Sequence, residues 1–263
     1  MSTPSARHHR PRASGVLAVL SWTGIVAALI ALGVIAFAPP ALASAAEAVA
    51  GIASAIVAVA CVAVRPLWPR GAWWIVIAGL VGWTISHWLL LFDDPVSVAS
   101  ERLTWPHALA VASYALLILG ALTLVRRRHT ARDTTSVIDS LIVLTAGGAL
   151  IGWTLLDVAS RNPLLGNRQF TQLAVFAILN LLLLSVVVRL WFATHASTNR
   201  GIRIVSLAFA VLIAADVATQ YRLANATAAG QMTPVRWIDL LYALFGVLVA
   251  AGAMNSDATR RPP

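Results

Sequence analysis

Asp216 and Gln220 stand four residues apart inside one apolar run. That spacing puts both side chains on one face of a helix. Asp239 opens the next apolar run, and Tyr242 follows three residues later on the same face. Arg222 and Arg236 flank the loop between the two runs and could reach either acid. Ionisable groups in an apolar segment are expensive to desolvate and mark functional sites by default. Asp216, Gln220, Arg222, Arg236, Asp239 and Tyr242 are therefore expected to form a ligand-binding pocket. The competing reading is a structural cluster, with Asp–Arg pairs tying the two segments together.

Other chemistry is thin. His87, Asp93, Asp94 and His107 are the only set that could assemble an acid/base or metal centre. They lack the spacing of a haem or zinc site, and no metal and no cofactor is expected. Interfacial histidines are the simpler reading; their position would also suit a pH sensor. All 19 basic residues are arginine. A Schiff-base lysine and a phosphate-loop lysine are thereby excluded. The single cysteine, Cys61, excludes an internal disulfide and reads as a small buried hydrophobe. There is no Gly-x-Ser-x-Gly, no His-Glu-x-x-His and no glycine-rich phosphate loop. No catalytic residues and no enzymatic activity are expected.

The elements that must hold these residues are membrane spans. Of the 263 residues, 59% are hydrophobic and 11% charged, and the mean hydropathy is +0.82. Soluble domains carry about 25% charged residues; this chain needs lipid as its solvent. A spanning helix takes about 20 mostly apolar residues. Eight segments qualify, near 15–38, 45–64, 72–92, 107–125, 136–156, 170–192, 202–221 and 236–254. The expected architecture is an all-α, polytopic transmembrane bundle over 15–255, with disordered tails at 1–14 and 256–263. An alternative reads the first run as a signal peptide, leaving seven spans. That run is longer than the usual h-region of about 7–15 residues.

Arginine placement predicts direction. Fourteen arginines (7, 10, 12, 65, 70, 126, 127, 128, 132, 189, 200, 203, 260 and 261) fall on one side. Five (102, 161, 168, 222 and 236) fall on the other. The positive-inside rule makes the first side cytoplasmic, with both termini there, in a bacterial inner membrane. The net charge of +9 is then explained by topology and lipid headgroups, and no nucleic-acid partner is expected. Glu47, Asp157, Asp216 and Asp239 gather toward the opposite side.

Smaller expectations follow. Gly51 and Ala55 permit close helix approach. Asn180 should make one interhelical hydrogen bond. Arg189 should snorkel to headgroups. Asp139 should favour the start of its helix or pair with Arg132. Trp68, Trp73, Trp74, Trp105, Trp191 and Trp237 read as interface anchors. No tandem repeat is evident.

Three short motifs stand in the second half, roughly 136–256. One span opens with Val137-Ile138-Asp139-Ser140-Leu141. A later one carries Ala215-Asp216-Val217. The last begins Trp237-Ile238-Asp239 and runs through Tyr242 and Gly246. In these features the chain resembles the N-terminal multi-pass membrane region of actinobacterial GGDEF and GGDEF–EAL proteins, which make and break cyclic di-GMP. It departs at the exit, Met254-Asn255-Ser256-Asp257, where the family often has a His-Pro-Ser-Met-like sequence. It departs again at Phe176-Ala177-Ile178-Leu179-Asn180, in place of the usual Tyr-Pro-x-x-Asp. No GGDEF or EAL sequence follows Ser256 in these 263 residues, so neither catalytic activity is implied. The resemblance implies a non-catalytic sensory region with a cytoplasmic signalling partner or a second copy of the chain. A small secondary transporter using Asp216 is the alternative.

A reporter fused after Pro263 tests the orientation. Cytoplasmic reporter activity is expected; alkaline phosphatase activity at that point would reverse it.

Overall fold

The computed structural model describes residues 12–37, 39–65, 67, 69–92, 105–126, 134–163, 165–195, 200–225 and 236–256. They form eight main helices: α1 (Arg12–Phe37), α2 (Pro40–Val64), α3 (Arg70–Phe92), α4 (Trp105–Arg126), α5 (Thr134–Ile151), α6 (Asn167–His195), α7 (Arg200–Ala224) and α8 (Arg236–Met254). α5 runs on through a π-helical stretch, Gly152–Asp157, and a last turn, Val158–Arg161. No strand occurs among the described residues. Seven helices, α2 to α8 with the extension of α5, are long and apolar enough to cross a bilayer. α1 adds a further apolar stretch, Thr23–Phe37. The chain is an integral membrane protein with an all-α bundle, as its composition predicts.

The helix ends follow from local chemistry. Pro39 caps α2 in an extended conformation, with Pro40 in the first turn, where a missing N–H costs nothing. Arg65 turns extended after Val64 and ends α2. Its guanidinium donates to the carbonyl of Met254, tying this end of α2 to the end of α8. Several helices extend a few residues past the apolar runs, because arginines can reach the headgroup layer from the terminal turn. Leu29, Ile30, Phe37, Leu150 and Trp153 point outward, as a lipid-facing surface requires.

Six helices close a ring in the order α2–α3–α4–α6–α7–α8, with α8 returning to α2. α1 packs outside on α2 and α8; α5 packs outside on α6. The order repeats between halves. In each half of four helices the first lies on the second, the second on the third and the third on the fourth. The fourth of each half then meets the second of the other: α4 on α6, and α8 on α2. The halves differ in that α1 also touches α8, and the extension of α5 also touches α7. The sequence carries traces of this arrangement. Arg70-Gly71 opens α3 and Arg200-Gly201 opens α7. Tyr114-Ala115-Leu116 lies in α4 and Tyr242-Ala243-Leu244 in α8.

In lipid, helices associate through close packing and hydrogen bonds, and small residues set how close they come. Gly120 of α4 rests against the backbone of Val76 in α3, and Gly79 of α3 against Leu117 in α4. Gly201 of α7 rests against Gly252 and Ser256 at the end of α8. Gly51 lies against Thr84 of α3, and Ala55 is buried nearby. Gly246 of α8 approaches Ser54 and Gly51 of α2. The expected role of Gly51 and Ala55 is thus met. Cys61 is buried and unbridged in the core.

One expectation needs correction. Trp73 is no interface anchor: it is 1% exposed, in the main core. One turn inside α3, its position faces the neighbouring helices, whereas Trp74, Trp105, Trp191 and Trp237 are exposed. Arg189 also makes a helix contact: its Nε donates to Ser140 Oγ at 2.9 Å and links α6 to α5. Ser140 is a buried acceptor within reach of that Nε. Asn180 makes its interhelical bond, accepting from the hydroxyl of Tyr114 at 3.1 Å. Trp68, Arg132 and the side chain of Asp139 lie outside the described residues.

A Cβ at Gly201 would stand 2.6 Å from the carbonyl oxygen of Gly252 and 2.7 Å from the backbone nitrogen of Ser256. Backbone cannot step aside as a side chain can, so Gly201→Ala should lower stability by about 1–3 kcal/mol. Gly33→Ala meets nothing within 4 Å and should be neutral or slightly stabilising. Thermal unfolding of both variants in detergent checks this; equal shifts would contradict the packing.

Candidate functional site

The site is built where α3 and α7 end and α4, α6 and α8 begin, on the arginine-poor side. Asp216 is 4% exposed. The hydroxyl of Tyr242 donates to its Oδ1 at 2.7 Å. Thr219 Oγ1 lies 3.0 Å from the same tyrosine oxygen and is also within hydrogen-bond distance of the Ala215 carbonyl, at 2.9 Å. Asp216 and Thr219 are one helical turn apart on α7, so they grip the tyrosine of α8 between them.

A second polar pair stands beside the first. His87 Nδ1 of α3 lies 3.1 Å from Glu47 Oε1 of α2. The His87 ring packs 4.6 Å from the Tyr242 ring and 4.7 Å from that of Trp83. Asp239, half-buried one turn before Tyr242, is in electrostatic reach of Glu47, His87 and Arg222. Polar groups from α2, α3, α7 and α8 therefore converge across the line where the two halves meet.

Aromatic rings make a wall next to these groups. Trp83 meets Tyr114 edge-on at 5.3 Å and lies 5.7 Å from Tyr242. Tyr114 in turn meets Phe176 edge-on at 5.9 Å. The edge-to-face contacts match the ring quadrupoles and fix the ring positions. Ser86 donates to the carbonyl of Pro106 at 2.8 Å and holds α3 against the start of α4.

A cavity of about 120 Å³ lies between these groups. Its walls come from Trp83, Ser86 and His87 on α3, His107 and Ala110 on α4, Gln172, Leu173 and Phe176 on α6, Asp216, Thr219, Gln220 and Leu223 on α7, and Tyr242 on α8. A smaller space of about 30 Å³ adjoins it, bounded by Glu47, Thr84, Trp83, His87 and Tyr242. Two acceptors among the cavity residues are buried without a hydrogen-bond partner: Asp216 Oδ2 and Gln220 Oε1. Such atoms are costly to leave unmet inside a low-dielectric interior.

The six residues expected at the pocket divide in the structure. Asp216, Gln220 and Tyr242 come together at the cavity. Asp239 and Arg222 lie beside it, half-buried, and are not among its lining residues. Arg236 is directed elsewhere: its Nη1 donates to the Ala36 carbonyl of α1 at 3.3 Å. The end of a helix offers carbonyls without intrahelical partners, and an arginine at the start of α8 reaches one. The pocket was expected within spans five to eight; α3 and α4 supply much of it and α5 none. α5 is peripheral, so its residues cannot reach the ring interior.

Of the possible centre His87, Asp93, Asp94 and His107, the two acids lie outside the described residues. Among the described residues no group of three or more His, Cys, Asp or Glu is placed to hold a metal ion. Sequence reasoning missed Trp83 and Phe176 as wall residues, and the Glu47–His87 pair. One signal was present for Trp83. It sits four residues before His87 and well inside its span, where an interface tryptophan has no reason to be.

No family model matches this chain, and no curated protein and no solved structure matches it either. The class is set by fold and site alone: a multi-pass α-helical membrane protein with a buried acid at a cavity between its two halves.

Tyr242→Phe removes the donor to Asp216 and should lower stability by about 1–3 kcal/mol. Asp216→Asn keeps an acceptor there, and the double variant should cost less than the sum of the singles. Strict additivity in thermal or chemical unfolding would show that the two groups do not act together.

Proposed function

We propose that this chain is a non-catalytic sensory module that binds a small ligand in the cavity beside Asp216. The observation that carries this reading is the pair of unpartnered acceptors, Asp216 Oδ2 and Gln220 Oε1, at a cavity large enough for a small molecule. A purely structural acid would have both oxygens engaged by its neighbours. The arginine distribution supports a bacterial plasma membrane with both termini cytoplasmic, so that the cavity opens toward the outside. The resemblance to membrane regions of cyclic di-GMP signalling proteins supports sensing over other roles. Its output would pass to a cytoplasmic partner or a second copy of the chain through the arginine-rich ends.

A second reading has one specific observation in its favour. The repeated packing order of the two halves, with the polar groups between them, is the arrangement many secondary carriers use. In that reading Asp216 carries the coupling charge. The position of the site toward one end, away from the midplane, favours the sensor.

Thermal unfolding of the full chain against a panel of small cations, anions and neutral molecules tests the binding reading. At least one compound should raise the unfolding midpoint, as binding to the folded state must. Ala110→Leu, which fills the cavity from α4, should abolish that shift. If no compound acts, or if the shift survives Ala110→Leu, the cavity is not a binding site. Uptake of the active compound into proteoliposomes, lost in Asp216→Asn, would favour the carrier.

A further inference from the structure

The cavity has a definite chemical character. Its two unpartnered polar atoms are both acceptors, one on a carboxylate and one on an amide. They belong to Asp216, 4% exposed, and Gln220, 7% exposed, side by side on one face of α7. Acceptors call for donors. No arginine is among the cavity's lining residues. The charged groups facing Asp216 from neighbouring helices add little positive charge. His87 is paired with Glu47, and Asp239 is a further acid, set against Arg222. His107 lines the cavity on the α4 side. An anion would meet repulsion here, and a buried carboxylate is stabilised by a cation at its open oxygen.

The walls decide what kind of cation. Trp83, Phe176 and Tyr242 contribute ring surface to the same cavity. Ring surface packs against an alkyl group, which an organic ammonium carries and a bare metal ion lacks. A hard metal ion would need about six oxygen ligands, and the cavity offers few. Size narrows the class again. An apolar cavity of roughly 150 Å³ holds a benzene molecule, so about 120 Å³ takes a ligand of about five non-hydrogen atoms.

We infer that the cavity binds a small protonated amine, its N–H groups donating to Asp216 Oδ2 and Gln220 Oε1 and its alkyl part lying against Trp83, Phe176 and Tyr242. The inference rests on the binding reading above and gives that site its ligand class. Tyr242 has a positioning role, since its hydroxyl occupies Oδ1 and leaves Oδ2 as the oxygen without a partner.

The test uses the full chain in detergent or nanodiscs, with isobutylammonium chloride as the probe. Isobutanol is its neutral counterpart, and sodium chloride matches ionic strength. Isobutylammonium should raise the unfolding midpoint in a saturable way, and isobutanol and sodium should not. Asp216→Asn should weaken apparent affinity at least tenfold, Gln220→Leu severalfold, and Ala110→Leu should remove the response. If Asp216→Asn fails to fold, the Gln220 and Ala110 variants decide. An equal response to isobutanol or sodium would overturn the inference, as would unchanged affinity in Asp216→Asn or, where that variant fails to fold, in Gln220→Leu. A cavity-dependent response to an anion or neutral molecule alone would leave the binding reading standing and overturn only the amine. No response to any compound would remove both.

Discussion

Tyr242 and Asp216, both buried, meet through one hydrogen bond inside the helical bundle. Much of the architecture can be read as the means of making that contact. A carboxylate on α7 can be buried only if a donor reaches it from a neighbouring helix. The donor sits on α8, so α7 and α8 must lie close. Gly201 and Gly252 let them do so at one end, where a Cβ on either would strike the other helix. α8 must also close the ring on α2, and Gly246 against Ser54 allows it. The tyrosine ring, once held, becomes the surface on which His87 and Trp83 of α3 pack. One bond and the rings packed on it thereby join three helices, α3, α7 and α8, while the second carboxylate oxygen keeps its capacity for another partner.

The spans were legible because lipid imposes one simple demand, a sustained apolar run, on every residue of a helix at once. The placement of Asp216 and Gln220 on one face was legible for a similar reason: helix periodicity is local. What could not be read locally was which helices surround that face. Arg236 is ambiguous in the sequence, since Asp216 and Asp239 both stand within its reach. The structure sends it to Ala36, on a helix two hundred residues earlier. Trp73 and Trp74 are adjacent in sequence and near the same span end, yet one is core and the other exposed. A rule about span ends cannot separate them; only the direction of the neighbouring helix can. Trp83 was passed over because tryptophan in a membrane protein is so often an anchor.

The repeat in packing order escaped sequence comparison for a physical reason. A lipid-facing position constrains hydrophobicity and very little else, so such residues drift freely among Leu, Val, Ile and Ala. Positions where backbones touch or rings interlock are more demanding. The traces that stand out are of that kind. Gly201, next to Arg200 at the start of α7, is a backbone contact. Tyr114 and Tyr242 both donate a hydroxyl proton into the interior, to Asn180 and to Asp216.

Two similar halves need not give a symmetric site, and here they do not. Counted from Arg70 and Arg200 at the helix starts, Ser86 of α3 and Asp216 of α7 hold equivalent positions, and both line the cavity. An acid at both would bring two carboxylates to one small space, where like charges oppose each other's ionisation. Serine at one and aspartate at the other avoids that conflict. Ser86 spends its hydroxyl on the Pro106 carbonyl and holds α4 in place. Asp216 gives one oxygen to the tyrosine and leaves the other without a partner. The shared framework thus supplies position, and the difference between its halves supplies a single, unbalanced acceptor for a ligand to meet.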